Sequence, residues 1–239
     1  MTPMDVRDPN VAMLDLVAER LGEELLADAV FVGGAVAGLL VTDPAAPAIR
    51  PTEDVDLVFG AIALADHHEF EARLRARGFV HDTREGAPIC RWRIGSVTVD
   101  AMPAREDVLG FSNRWYPLAL ETATRESLPS GRWIRLITAP AFIGTKLEAF
   151  DGRGNGDFVC SHDLGDALAV VDGRESLLSE CRSSPIDLRS YLASRFHKLL
   201  RNPAFLDALP AHLPGDWASQ ERLPMLRQRL GQLAEISSV

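Results

Sequence analysis

Two aspartates two positions apart, Asp54 and Asp56, lie downstream of a Gly33-Gly34 pair that closes the apolar run Ala29 to Val32, and a third, Asp100, ends the run Val97 to Val99. On a β-strand successive side chains face opposite ways, so Asp54 and Asp56 project from one face, and a neighbouring strand carrying Asp100 would add a third carboxylate. Converging carboxylates repel one another. Hard divalent cations, usually Mg²⁺ with oxygen ligands and bound phosphates, make such a cluster tolerable, and two of them can activate an attacking hydroxyl and stabilise a departing pyrophosphate. The chemistry this layout suits is metal-assisted nucleotidyl transfer. The competing reading is a pair of solvent-facing acids at a strand end. Against it, Val55, Leu57 and Val58 make the rest of the strand apolar, and aspartate is disfavoured in strands. For Gly33-Gly34 the alternatives are a tight turn, or a close backbone approach that aims free amides at an anion.

Lysine is scarce. Among 25 basic residues only Lys146 and Lys198 are lysines, so a lysine is a candidate for a position where arginine will not serve. Lys146 shares a predicted helix with Phe142, Ile143, Leu147 and Phe150, beside an apolar stripe, and an ammonium so enclosed needs an anion. A nucleoside triphosphate would supply one, and so would a nearby acid. Ser161-His162-Asp163 reads as an N-cap followed by an acid in the first helical turn, which the helix dipole alone would justify. His162 and the His67-His68 pair read as surface or structural groups. Trp115 and Tyr116 read as core packing sooner than as a base-stacking wall.

The elements that must position these groups follow from periodicity. Leu14, Val17, Leu21 and Leu25 recur at helical spacing within Val11 to Ala27. Strands are predicted at Ala29 to Val32, Asp54 to Phe59, Ile89 to Ile94, Val97 to Met102 and Trp133 to Ile137. Gly95-Ser96 makes the middle pair a tight hairpin. Helices are predicted at Ala35 to Leu40, His67 to Arg77 with Gly78 as its stop, Pro140 to Phe150, Asp163 to Val171, Leu188 to Arg201 and Pro224 to Leu233. Thr42 to Pro47 and the Gly-rich Asp151 to Asp157 read as loops, and Leu109 to Tyr116 as neither loop nor strand. The class this order predicts is α+β: a small mixed sheet with flanking helices, then a helical region. The expected division is 1–138 as the catalytic core and 139–239 as a mainly helical region that completes the site.

The chain has 239 residues and a formal net charge of -9, which argues against a surface built throughout to grip nucleic acid. From Pro185 onward, however, seven basic residues face five acidic ones, so a weakly basic tail could hold a polyanionic acceptor or be an ordinary solvated surface. No apolar run approaches the roughly 18 residues of a membrane span. The N-terminus lacks the basic flank and apolar core of a signal peptide, so the expected location is cytoplasmic. Cys90, Cys160 and Cys181 are odd in number and widely spaced, which predicts reduced thiols and no zinc site.

Taken together, Gly33-Gly34, Thr52 to Val58, Val99 to Pro103, Gly110 to Tyr116, Thr145 to Phe150 and Ser161 to Asp166 resemble the AbiEii/AbiGii-type nucleotidyltransferases of the polymerase-beta-like superfamily, which include toxins of toxin-antitoxin and phage-defence systems. The similarity runs from about Val30 to Arg174. It implies metal binding by Asp54 and Asp56 with help from Asp100, nucleotide contact at Gly33 and Gly34, triphosphate contact by Lys146, and a catalytic or positioning role for Asp163. It also implies Mg²⁺ as cofactor, a nucleoside triphosphate such as ATP as substrate, tRNA as an acceptor in some relatives, and a cognate antitoxin as partner. The stretch from Gly34 to Asp54, with Pro44, Pro47 and Pro51, is longer than the family's usual spacing.

Overall fold

Asp8 accepts a hydrogen bond from the Asn10 amide at 2.8 Å and Pro9 takes the first helical position, so α1 (Pro9–Asp28) begins where a side-chain cap and a pre-set φ coincide. The computed structural model describes residues 8–60, 67–104 and 112–236. Leu14, Val17, Leu21 and Leu25 form the buried face of α1 as their spacing predicts, each such burial being worth about 1.5–3 kcal/mol. Gly22 interrupts the helix at φ 68°, ψ 170°, and a Cβ there would run into the Arg77 guanidinium.

Among the described residues seven strands form one mixed sheet. They are β1 (Ala29–Val32), β2 (Asp54–Phe59), β3 (Val80–His81), β4 (Arg91–Ile94), β5 (Val97–Pro103), β6 (Thr124–Ser127) and β7 (Trp133–Leu136), in spatial order β3-β4-β5-β2-β1-β7-β6. The centre pairs β1 antiparallel to β2 and parallel to β7, with β2 parallel to β5. The margins are antiparallel hairpins. A 3₁₀ turn, Gly34–Val36, leads into α2 (Ala37–Leu40); α3 (His67–Ala76) ends before Gly78, whose φ is 85°, and α4 (Tyr116–Thr122) precedes β6. The helical succession is α5 (Ala139–Arg153), α6 (His162–Gly173), α7 (Leu177–Ser183), α8 (Ile186–Leu200), α9 (Pro203–Ala208), α10 (Trp217–Gln220) and α11 (Leu223–Ala234). The fold is thus α+β, a mixed sheet followed by helices, as the element order predicts.

Periodicity does not reveal β3, β6, α4, α7, α9 or α10. The β6 residues Thr-Arg-Glu-Ser carry no apolar alternation, and the strand exists because the edge of β7 pairs with it from Thr124–Leu136 to Ser127–Trp133. The four missed helices run for only four to seven residues, too short to display a period. Of the irregular segment expected at Leu109 to Tyr116, residues 109–111 lie outside the described residues; Asn113 then caps the Trp115 amide at 3.1 Å and α4 begins.

The chain divides into two compact units, Pro3–Val36 with Arg50–Thr138, and Ala37–Ile49 with Ala139–Val239. In the sheet unit, buried Asn10 anchors the entry to β2, its side chain donating to the Arg50 carbonyl at 3.0 Å and accepting from the Thr52 amide at 2.9 Å. The helical unit is cemented by Leu192, Phe196, Leu226 and Leu230 on α8 and α11 and by the ring sequence Phe150, Phe158, Phe205. Its proline-bearing loop is fastened by Arg222, which donates to Asp43 and Asp172 at 2.7 Å each, while the Thr42 and Asp43 amides share the Gly173 carbonyl.

Candidate active site

The register of the sheet unit sets the three expected aspartates on one face. Asp56 lies opposite Asp100 across the parallel β2–β5 pair, and Asp54 precedes it by two residues on β2. On the other side Asp56 pairs with Val32, the last residue before the Gly33 turn. Gly33 has φ +72° and a Cβ built on it would fall on the Asp56 carboxylate, so glycine is required twice over, for the turn and for the space. Gly34 is buried at the start of the 3₁₀ turn. The Thr52 hydroxyl donates to Asp54 Oδ1 at 2.8 Å, which steers that carboxylate from the segment anchored by Asn10.

A residue that sequence reading passed over stands in the middle of this face. Arg91, on β4, is the cross-strand neighbour of Asp100. Its Nε and Nη2 donate to Asp100 Oδ1 and Oδ2 at 2.8 and 2.7 Å, and Nη2 also lies 3.7 Å from Asp54 Oδ2. This is a bidentate fork that takes both oxygens of Asp100. Its hydrogen bonds to Asp100 raise the Arg91 pKa further above the ordinary arginine range. The Asp54 side chain keeps 34% of its surface exposed, whereas that of Asp100 keeps 11%. Next to Arg91, burial pushes the Cys90 thiol up to about 12, with the Asp100 carboxylate adding to the shift, which favours the neutral thiol.

With Asp100 so engaged, the face does not form a three-ligand cage: among the described residues no group of three or more His, Cys, Asp or Glu side chains is assembled to hold a metal ion. Asp54 and Asp56 nevertheless fit Mg²⁺, which binds through one or two carboxylates and takes its remaining ligands from phosphates and water.

The helical unit holds the other two expected residues together. Lys146 is buried within α5 and its Nζ donates to Asp163 Oδ1 at 3.1 Å and Asp166 Oδ2 at 2.8 Å. Arg153, seven residues on along α5, donates to both oxygens of Asp163 at 2.8 and 3.0 Å. Burial, the largest influence on Asp163, pushes its pKa up, but the bonds from Arg153 and the charges of Arg153 and Lys146 outweigh it and hold the carboxyl below its usual range. Ser161 caps α6 as expected, accepting from the Leu164 amide at 3.3 Å. The enclosed ammonium therefore has its anions within the chain. Arg153 and Asp166 were not singled out by sequence; the signal was their spacing, Lys146 with Arg153 at seven residues and Asp163 with Asp166 at three, which stack each pair on one helix face.

The remaining sequence candidates take structural places. Trp115 is buried with Arg114 over its ring at 5.2 Å, and the Tyr116 hydroxyl meets Met102 Sδ at 3.3 Å, so both belong to packing. His162 is exposed, and His68 stands 3.9 Å from Glu71 on the surface.

No family model matches the sequence, and no curated protein matches it. Among solved structures, the antibiotic-resistance factor ANT(2'')-Ia, known from a solution structure, shares 18% identity at a TM-score of 0.47, over 80% of this chain and 94% of its own. A candidate nucleotidyltransferase of H. pylori shares 12% identity at a TM-score of 0.45, over 96% and 95%. At these levels of likeness the functional reading rests on the residues themselves. Among the described residues no helix is long and apolar enough to cross a membrane.

Proposed function

We propose that this protein is a Mg²⁺-dependent nucleotidyltransferase that moves a nucleoside monophosphate from a nucleoside triphosphate to an acceptor hydroxyl. The observation that carries the reading is the register that sets Asp54, Asp56 and Asp100 on one face, against a glycine turn with no room for any other residue. In this reading Asp54 and Asp56 hold the metal. When bound, the metal supplies activation of the hydroxyl and charge stabilisation at the phosphorus. The chain's own part is to present the two carboxylates in fixed geometry, with Thr52 orienting Asp54 and Gly33 admitting Asp56 to its position. The backbone at Gly33 and Gly34 is assigned to the nucleotide.

Lys146 is assigned to the triphosphate and Asp163 to holding its ammonium in place, in which case phosphate oxygens compete with Asp163 and Asp166 for that ammonium. The resemblance to the AbiEii/AbiGii type supports tRNA as acceptor, a toxin role and an antitoxin partner. A second acceptor, the hydroxyl of a small molecule such as an aminoglycoside, is favoured by two specific observations. The net charge is -9, and among the seven basic residues from Pro185 onward Arg195 is engaged within the chain with Asp151 and Arg189 with the Arg182 carbonyl. Incubation with each labelled nucleoside triphosphate, Mg²⁺ and either total RNA or a panel of hydroxylated small molecules tests the proposal. Label transferred to one fraction is the expected result. No transfer to any fraction, with folded protein, would favour a module that binds nucleotide or a partner without turnover.

A further inference from the structure

We propose that Arg91 is an internal lock on the carboxylate face: it keeps Asp100 out of the metal's ligand sphere and so weakens the binding of a free divalent cation. The inference rests on the assignment of Asp54 and Asp56 as metal ligands. The register puts Arg91 directly opposite Asp100, which is directly opposite Asp56, so the guanidinium and the carboxylates share one face by construction. Both Asp100 oxygens accept from the same planar fork, at 2.8 and 2.7 Å. A cation that recruits Asp100 must first break a charge-assisted bidentate pair. A cation that binds only at Asp54 and Asp56 must sit beside a like charge, since Arg91 Nη2 is 3.7 Å from Asp54 Oδ2. Either way the arginine opposes the bare ion.

A metal that arrives on a triphosphate meets a different balance, because phosphate oxygens offer the guanidinium an alternative bidentate partner. The lock therefore favours loading by the metal–nucleotide complex over loading by the free ion. The geometry also predicts which change opens it. Arg91→Gln removes the charge and frees both Asp100 oxygens, while Arg91→Lys keeps the charge but replaces the fork by a point donor that can hold only part of the carboxylate.

The test is Mn²⁺ titration of the full chain without nucleotide, read by the electron paramagnetic resonance of the free ion, with circular dichroism to verify folding. Arg91→Gln should bind Mn²⁺ about tenfold or more tighter than the wild type, and Arg91→Gln combined with Asp100→Asn should lose most of that gain. Arg91→Lys, which stands in should the glutamine variant fail to fold, should gain about two- to threefold. A merely structural arginine would leave Mn²⁺ affinity unchanged in folded variants. If Asp54→Asn with Asp56→Asn abolishes Mn²⁺ binding but neither Arg91 variant tightens it, the lock is overturned and the metal assignment stands. If the double aspartate variant binds Mn²⁺ as the wild type does, the metal assignment fails and the lock falls with it.

Discussion

The sheet unit and the helical unit each build a cluster of aspartates and basic residues, and the two are made to different rules. On the sheet, the Asp54 and Arg91 side chains are 34% and 27% exposed, beside a buried Asp100 at 11%. Between α5 and α6, Lys146, Asp163 and Asp166 are enclosed, at 9%, 11% and 3%. Lys146 bridges the two aspartates from within, while Arg153, its side chain 73% exposed, clasps Asp163. Interlocked pairs of this kind hold two helices in one register and are costly to break from one side. The sheet cluster places three carboxylates of two neighbouring strands on one face, with Asp100 taken by Arg91 and Asp54 left partly open to solvent. The contrast teaches that a charged cluster in a new structure is read first by whether a ligand can reach it.

The largest expected effect lies on the accessible side. Asp54→Asn or Asp56→Asn should reduce nucleotidyl transfer by about a thousandfold or more, the loss of several kcal/mol of metal-supplied stabilisation. Asp54→Asn should not lower the melting temperature in EDTA, because asparagine keeps an acceptor for Thr52 and removes one of the repelling charges. Transfer at the wild-type rate in either variant would sink the proposed site. A large fall in melting temperature for Asp54→Asn would mean that its carboxylate also stabilises the fold.

The next effect lies on the enclosed side and has the opposite signature. Lys146→Met leaves Asp166 buried without its ammonium and should cost about 3–5 kcal/mol of stability, measured by denaturant unfolding. Lys146→Arg keeps the charge but puts a broader fork where Asp163 and Asp166 converge on one atom; its stability loss should be smaller while turnover falls well below that of Lys198→Arg. Unchanged stability in Lys146→Met would mean that the network is peripheral.

Much of this contrast was legible in the sequence, and the illegible part has a common cause. The spacing of Asp54, Asp56 and Asp100 announced the accessible face because a strand's period of two and an apolar background make acids conspicuous. Lys146 and Asp163 were conspicuous by lysine scarcity and by the cap at Ser161. Arg91 was missed although it could have been counted: the two-residue turn pairs Ile94 with Val97, and three steps away from the turn on each strand bring Arg91 opposite Asp100. Arginine is simply too common in this chain to draw the eye. The strand at Thr124–Ser127 could not have been counted, since its residues take their conformation from a partner edge and not from their own pattern.

A smaller effect separates the clusters by pH. Arg153 and Lys146 hold the Asp163 carboxyl below its ordinary value of 3.8. A lowered folded-state pKa contributes stability that is fully present above the unfolded value and is lost as pH falls through the folded one. The difference in melting temperature between wild type and Asp163→Asn should therefore stay constant above about pH 4 and narrow below it. A difference that instead grew towards acid would contradict the assigned direction.

The smallest expected effect concerns the acceptor and the tail. Arg195 is bonded to Asp151 and Arg189 to the Arg182 carbonyl, whereas Lys198 and Arg201 are exposed. If transfer is to RNA along this face, the exposed pair carries the phosphate contacts. Lys198→Gln with Arg201→Gln should then reduce the slope of log affinity against log salt by about 1–2 units, since each phosphate contact releases roughly 0.7–0.9 of a condensed counterion. Arg189→Gln with Arg195→Gln should leave that slope alone and lower the melting temperature instead, because it removes contacts within the helical unit. Nucleoside triphosphate binding should respond less to salt than acceptor binding in all three proteins. Superimposable salt curves for the wild type and the Lys198, Arg201 pair would remove RNA binding by α8 and leave the small-molecule hydroxyl as the acceptor that the charge of this chain best suits.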